Sequence, residues 1–162
     1  EYFHKHNLYM SDEHKVRQKA LQNFIVAYQN LLRDGLEDNG HQIEFVYQNQ
    51  SSDGQPNTIW AYSKSGNGFD TIQMINLLGV SDNDWRANQG EKETPTIVED
   101  LTVKYYTNDT FESAWLTSPD PRYNSVSKEL DMEYGHDAQG NFVTITVPSL
   151  EYWDMLYFKQ KG

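Results

Sequence analysis

Asn57-Thr58-Ile59-Trp60-Ala61-Tyr62-Ser63-Lys64-Ser65-Gly66-Asn67-Gly68-Phe69-Asp70-Thr71-Ile72-Gln73-Met74-Ile75-Asn76-Leu77-Leu78-Gly79-Val80 carries the reading from which the fold follows. Thr58 to Ser63 is rich in β-branched and aromatic residues, and Phe69 to Leu78 brings Ile72, Met74, Ile75, Leu77 and Leu78. Both segments read as strands, and Ser65-Gly66-Asn67-Gly68 is the glycine-rich turn that joins them. The second is apolar at nearly every position. A strand of that kind gains little from facing water, so it belongs in a sheet covered by another layer.

Further strands are predicted on both sides. Upstream, Ile43, Phe45 and Tyr47 alternate with Gln42, Glu44 and Gln48, the pattern of a short strand with one buried face. Gln48 to Asn57 reads as a loop, and Ser81 to Pro95 as a long polar loop holding Trp85 and Arg86. Downstream, strands are expected over Leu101–Tyr106, Glu112–Ser118, Lys128–Tyr134, Phe142–Val147 and Trp153–Lys159, with Gly135 to Asn141 as a hairpin connection. The total is about eight, which predicts a mainly β fold, an antiparallel two-layer β-sandwich of Greek-key or jelly-roll type.

One long amphipathic helix precedes the strands. Val16, Ala20, Leu21, Phe24, Ile25, Tyr28, Leu31 and Leu32 fall on one helical face over Ser11 to Arg33, with Ser11 or Asp12 as its cap and Gly35 just beyond its end. A helix with such a stripe needs a packing partner, and the strand-rich remainder offers no second helix. Residues 1–40 are therefore expected to be the tail of an upstream domain and residues 41–162 a C-terminal sandwich, divided at the polar connection Glu37-Asp38-Asn39-Gly40. Glu1-Tyr2-Phe3-His4-Lys5-His6 has neither an initiator Met nor leader character, so a cut or processed chain is expected.

Composition narrows the function classes. Among 162 residues, 13 basic side chains face 24 acidic ones, a formal charge of -11 that repels phosphate backbones and anionic lipid; nucleic acid is not an expected partner. There is no cysteine for a disulfide or a thiolate-bound metal, and no apolar run approaches the roughly 20 residues of a membrane span. Eleven tyrosines, seven phenylalanines and four tryptophans stand against a mean hydropathy of -0.80. Aromatic rings on a polar background suit both sheet cores and sugar binding, because a flat ring loses little rotamer entropy when it is fixed.

Candidate chemistry is sparse. Glycoside hydrolysis needs two carboxylates across a bond, and Asp131 and Glu133 share a strand face; Glu129 extends the row, which makes it a solvated acidic face. Glu99-Asp100 and Glu151 with Asp154 have no accompanying signature. His4, His6 and His14 lack a recognised ligand spacing, His41 and His136 fall in predicted loops, and Asp82-Asn83-Asp84 lacks the glycine and distal glutamate of a calcium loop. No metal or other cofactor is expected. Trp60, Trp115 and Trp153 lie in strands, where core filling is the default, whereas Trp85 lies in the long loop and is a candidate sugar contact.

Three blocks carry a resemblance: Phe24-Ile25-Val26-Ala27-Tyr28-Gln29-Asn30-Leu31-Leu32-Arg33-Asp34-Gly35, then Ile75-Asn76-Leu77-Leu78-Gly79-Val80 leading to Trp85-Arg86, then Val147-Pro148-Ser149-Leu150-Glu151-Tyr152-Trp153-Asp154-Met155. In this order they resemble the C-terminal end of glycoside hydrolase family 66, the dextranases and cycloisomaltooligosaccharide glucanotransferases. The resemblance implies a (β/α)8 catalytic barrel whose last helix is the one at Ser11 to Arg33, followed by a C-terminal β-sandwich. It also implies a retaining enzyme acting on α-1,6-glucan, whose aspartate nucleophile and glutamate acid/base lie upstream, so that this segment holds no catalytic residue. A bacterial protein at the cell surface, in the periplasm or outside the cell is implied, with the barrel as partner. Glu1-Tyr2-Phe3 resembles the family segment after the last barrel strand, which makes Tyr2 and His4 candidate substrate contacts, although His4 stands where the family favours proline. Two other readings stay open: a carbohydrate-binding module using aromatics around Trp85, and a cell-surface structural domain.

Overall fold

Asn67 and Gly68 both take positive φ, 54° and 80°. This two-residue geometry matches the right-handed twist of paired strands, and Asn-Gly adopts it readily. It joins β4 (Ile59–Gly66) to β5 (Phe69–Asn76), antiparallel from Gly66↔Phe69 to Ile59↔Asn76. The computed structural model describes residues 11–82, 84, 91–120, 122, 123 and 125–162.

Two sheets are built around this hairpin. The first is ordered β1 (Glu37–Asp38), β4, β5, β11 (Trp153–Gln160), β7 (Phe111–Thr117), β8 (Lys128–Leu130), with β3 (Gln50–Ser51) pairing parallel to the start of β4. The second is ordered β2 (Ile43–Phe45), β6 (Val98–Tyr106), β10 (Gly140–Leu150), β9 (Glu133–Asp137). All other pairings are antiparallel. Ile59, Ile72, Met74, Leu116, Leu156 and Phe158 of the first sheet meet Leu101, Val103, Tyr105, Val143, Ile145 and Val147 of the second. The expected two-layer antiparallel sandwich is therefore the observed one.

The helix covers the other face of the first sheet. Ser11 Oγ accepts from His14 N at 3.2 Å and caps α1 (Asp12–Ala27); the chain kinks at Tyr28 (φ -115°) and a short α2 (Gln29–Leu32) follows. Phe24 and Leu31 are buried with Met155, while Tyr28, Leu32, Phe69, Trp153 and Tyr157 pack around them. Phe24 meets Trp153 edge-on, ring centroids 5.0 Å apart. The helix thus finds a partner within the chain, which the strand-only character of the downstream sequence had concealed. That contact uses only half of its apolar stripe. Val16, Leu21, Ile25 and Val26 remain exposed.

Several strand limits differ from expectation, each for a physical reason. Tyr47 does not continue β2: it sits at φ 64° and is almost wholly exposed, because the chain turns there. The expected loop after it contributes β3, and Glu37-Asp38 contributes β1, two-residue strands too short to carry a pattern. Lys128 to Tyr134 is two strands. β8 pairs with β7 in the first sheet, then the chain crosses at Asp131-Met132 and β9 pairs with β10 in the second. Apolar alternation has the same period in either sheet, so it does not reveal the crossing. His136 lies within β9, and the hairpin turn shrinks to Ala138-Gln139. β10 runs on through Pro148 to Leu150; the missing N–H of Pro148 falls where the ladder is interrupted by Asp100 at φ 50°.

Candidate functional site

β4 is the strand along which a surface groove is built. β3 pairs with its first residues, Ile59 and Trp60, and β1 with Lys64 and Ser65. Ala61 to Ser63 lies between them, reached by neither register. Ile59 N donates to Asn49 O (2.8 Å) and Asn39 N donates to Ser63 O (3.4 Å) on this edge. Strand parity therefore turns the backbone N–H and C=O of Ala61 to the same side. A groove of about 1070 Å³ opens along this edge.

Two aromatic rings from the outer face of β4 line the groove. Trp60 and Tyr62 have centroids 6.0 Å apart at 51°. Trp60 Nε1 donates to Ser52 O at 3.0 Å, and Gly54 (φ +77°) lies so close that a Cβ there would stand 3.3 Å from Trp60 Cε3. The indole is thus held by its own loop. Burial first, and then the Asp38 carboxylate, push the Tyr62 phenol up, so it remains a protonated donor at neutral pH. Lys64 pairs with Asp38 at 3.3 Å on the rim.

Beneath the groove the sandwich core turns polar. Asp70 is fully buried; its carboxylate accepts from Tyr105 Oη (2.7 Å), Ser65 Oγ (2.7 Å) and Gln160 Nε2 (2.8 Å). Tyr105 Oη also accepts from Asn39 Nδ2 (2.8 Å) and lies 2.8 Å from His41 Nδ1. A phenol has a single proton, and here it goes to Asp70. His41 Nδ1 must then be a donor. In the neutral imidazole this leaves Nε2 as the acceptor, at the opposite end of a ring that lines the groove and keeps about 30% side-chain exposure. Burial, and then Asp70, push the Tyr105 phenol far up, which keeps its proton in place.

The sequence-predicted contacts Tyr2, His4 and Trp85 lie outside the described residues. Core filling, the expectation for the three strand tryptophans, holds for Trp153, which packs against the buried Phe24, Leu31 and Met155. All three tryptophans sit on the outer face of the first sheet: Trp153 under Phe24, Trp115 stacked on Tyr157 (6.4 Å, 12°), and Trp60 in the groove. Glu129, Asp131 and Glu133 are exposed, as a solvated acidic face should be, but they are divided between β8, the crossing and β9. Asp82 accepts from Asp84 N (2.8 Å) and pairs with Lys92, so its carboxylate is engaged by protein groups. Among the described residues no cluster of three or more His, Asp or Glu is placed to hold a metal. The edge groove and the His41–Tyr105–Asp70 chain went unread in the sequence. Their one local signal was polar Ser63, Ser65 and Asp70 at inward positions of apolar strands.

The model of glycosyl hydrolase family 66 matches residues 1–157. The chain belongs to this family. It is 35% identical over 166 aligned positions to a cycloisomaltooligosaccharide glucanotransferase of Niallia circulans, covering 99% of this chain and 17% of that protein. A dextranase of Streptococcus salivarius is 32% identical over 86% of this chain and 19% of its own length. The crystal structure of a Paenibacillus sp. cycloisomaltooligosaccharide glucanotransferase complexed with cycloisomaltoheptaose superposes with a TM-score of 0.83 at 35% identity, covering 91% of this chain and 21% of that one. The chain thus spans about a fifth of the length of these family 66 relatives. Two of the family-like blocks, Phe24–Gly35 and Val147–Met155, meet in space where Phe24 packs on Trp153 and Met155.

Proposed function

We propose that this chain is the C-terminal region of an endo-acting α-1,6-glucan hydrolase or glucanotransferase, where it supports a catalytic barrel and supplies no catalytic carboxylate pair. The observation that carries this reading is a family match through residue 157 by a chain that spans only 17% to 21% of the related enzymes. Residues 1–40 are then the end of the (β/α)8 barrel and residues 41–162 the sandwich. Support comes from α1: it is anchored to the first sheet through Phe24, Tyr28 and Leu31, while Val16, Leu21, Ile25 and Val26 leave apolar surface free for further chain.

The retaining double displacement of such an enzyme needs two carboxylates about 5–5.5 Å apart across the scissile bond. The carboxylates that line the described groove are otherwise engaged, Asp38 with Lys64 and Asp53 with Gln55 Nε2 at 2.8 Å. Relatives are bacterial, and among the described residues no helix is long and apolar enough to cross a membrane. A bacterial enzyme working outside the cytoplasm on dextran is the setting in which this reading places the chain.

Reducing-end release and cyclic oligosaccharide formation from dextran together test it. Activity is expected from the complete protein and none from the 162-residue chain, and dextran cleavage by this chain would overturn the assignment. A paired measurement addresses the support role. Ile25→Glu should lower the melting temperature of the complete protein by several degrees and that of the isolated chain by about 1 °C or less, since Ile25 is exposed in the latter. Equal shifts in both would remove the barrel as its partner.

A further inference from the structure

We propose that the groove along the open edge of β4 is a binding site for an α-1,6-linked glucan chain, held by Trp60, Tyr62 and His41. The identity of the glucan rests on the functional reading above; the site rests on the groove.

Hexose rings present apolar C–H faces ringed by hydroxyls, so a site for them needs flat apolar surface beside fixed donors and acceptors. The groove supplies both. Trp60 and Tyr62 form an angled aromatic surface, and Trp60 is already immobilised by Ser52 O and Gly54, so little rotamer entropy is lost on binding. His41 is held through Nδ1 by the buried Tyr105–Asp70 chain, and in its neutral form keeps Nε2 as an acceptor. The Tyr62 phenol adds a donor. About 1070 Å³ of open-ended space exceeds an ordinary small-molecule pocket and suits several units of a polymer.

Competing occupants fit less well. A peptide adding as a strand needs a continuous free edge, whereas β1 and β3 bracket an opening of only Ala61 to Ser63. An anionic polymer would meet Asp38 and Asp53 at the rim and a chain of net charge -11. A neutral, hydroxyl-rich chain meets neither obstacle.

Affinity gel electrophoresis in dextran and calorimetric titration with isomaltoheptaose, both on the 162-residue chain, provide the test. Saturable binding is expected, weakened about tenfold or more by Trp60→Ala and several-fold by Tyr62→Ala or His41→Ala. Trp60→Phe, which keeps a ring, should stay within about threefold of the parent chain. Near-UV circular dichroism and melting temperature accompany each variant; Tyr62→Ala, whose hydroxyl anchors no loop, carries the test if Trp60→Ala loses its fold. Absence of binding at about 10 mM isomaltoheptaose, or binding indifferent to Trp60 and Tyr62, overturns the site. Preference for cellohexaose or maltoheptaose overturns the α-1,6 assignment. Dextran cleavage by the complete protein is scored alongside: if it persists while the groove fails to bind, the groove inference falls and the enzyme reading stands.

Discussion

Asp70 and Asp154 lie on neighbouring strands, both face the sandwich interior, and both have no exposed surface. Their surroundings differ completely. Asp70 accepts three side-chain hydrogen bonds, from Tyr105, Ser65 and Gln160. Asp154 has none: Ser118 is near, but its hydroxyl proton goes to Trp153 O at 2.7 Å, which leaves both carboxylate oxygens unpaired. Burial, opposed by the nearby Ser118 hydroxyl and by Arg122 and reinforced by the Asp120 and Glu151 carboxylates, pushes Asp154 up to about 8. Burial therefore does not by itself decide what a carboxylate does to a fold. Partners decide, because an interior anion is tolerated only where hydrogen bonds replace its water.

The largest expected effect breaks the satisfied side of this contrast. Asp70→Ala leaves the Tyr105, Ser65 and Gln160 donors without their acceptor, and is expected to destabilise by about 3–5 kcal/mol. For a domain of this size that is a drop in melting temperature of about 10 °C; a loss below about 1 kcal/mol in urea unfolding would show that the network is dispensable.

Asp154→Asn should act in the opposite direction and only at higher pH. The folded carboxyl, at about 8, lies above an unfolded value near about 3.9. Its contribution is then fully favourable below about pH 4 and is lost as pH rises toward 8, by about 1.4 kcal/mol per unit across that window. The amide removes the dependence. Thermal melts should show the variant on the order of 5 kcal/mol more stable at pH 8 and little changed at pH 4, and identical pH slopes for parent and variant would refute the raised value.

Tyr105→Phe sharpens the comparison by deleting one link. It should cost about 2 kcal/mol, since Asp70, Asn39 and His41 each lose a partner. A second consequence concerns His41: without the phenol its ring loses the bond that sets its tautomer, so its imidazole nitrogen shifts in NMR should move toward a mixed-tautomer average. Asp131→Asn gives the smallest effect, within about 0.5 kcal/mol, because that carboxylate is exposed.

Legibility of the fold followed the range of the interactions involved. The β4–β5 hairpin could be read because Asn67-Gly68 meets a local demand for positive φ between two apolar runs. The Ser11 cap and the helix after it, and the alternation of β10 around Val143, Ile145 and Val147, are equally local. The crossing at Asp131-Met132 was not legible, since a strand that changes sheets keeps its period of two. Nor was the environment of Asp70, whose partners lie as far away in sequence as Gln160.

Chain order thus carries the sandwich class, the hairpin, the helix and the family resemblance, all of which depend on patterns within a few residues or on contiguous blocks. Folding in three dimensions assigned the rest. It placed α1 on the outer face of the first sheet, turned three strand tryptophans to that face, opened the edge of β4 between β1 and β3, and gave Asp70 the partners it withheld from Asp154. Each of these outcomes depends on which distant groups share a small volume, and hydrogen bonding and desolvation are set by that neighbourhood rather than by sequence spacing.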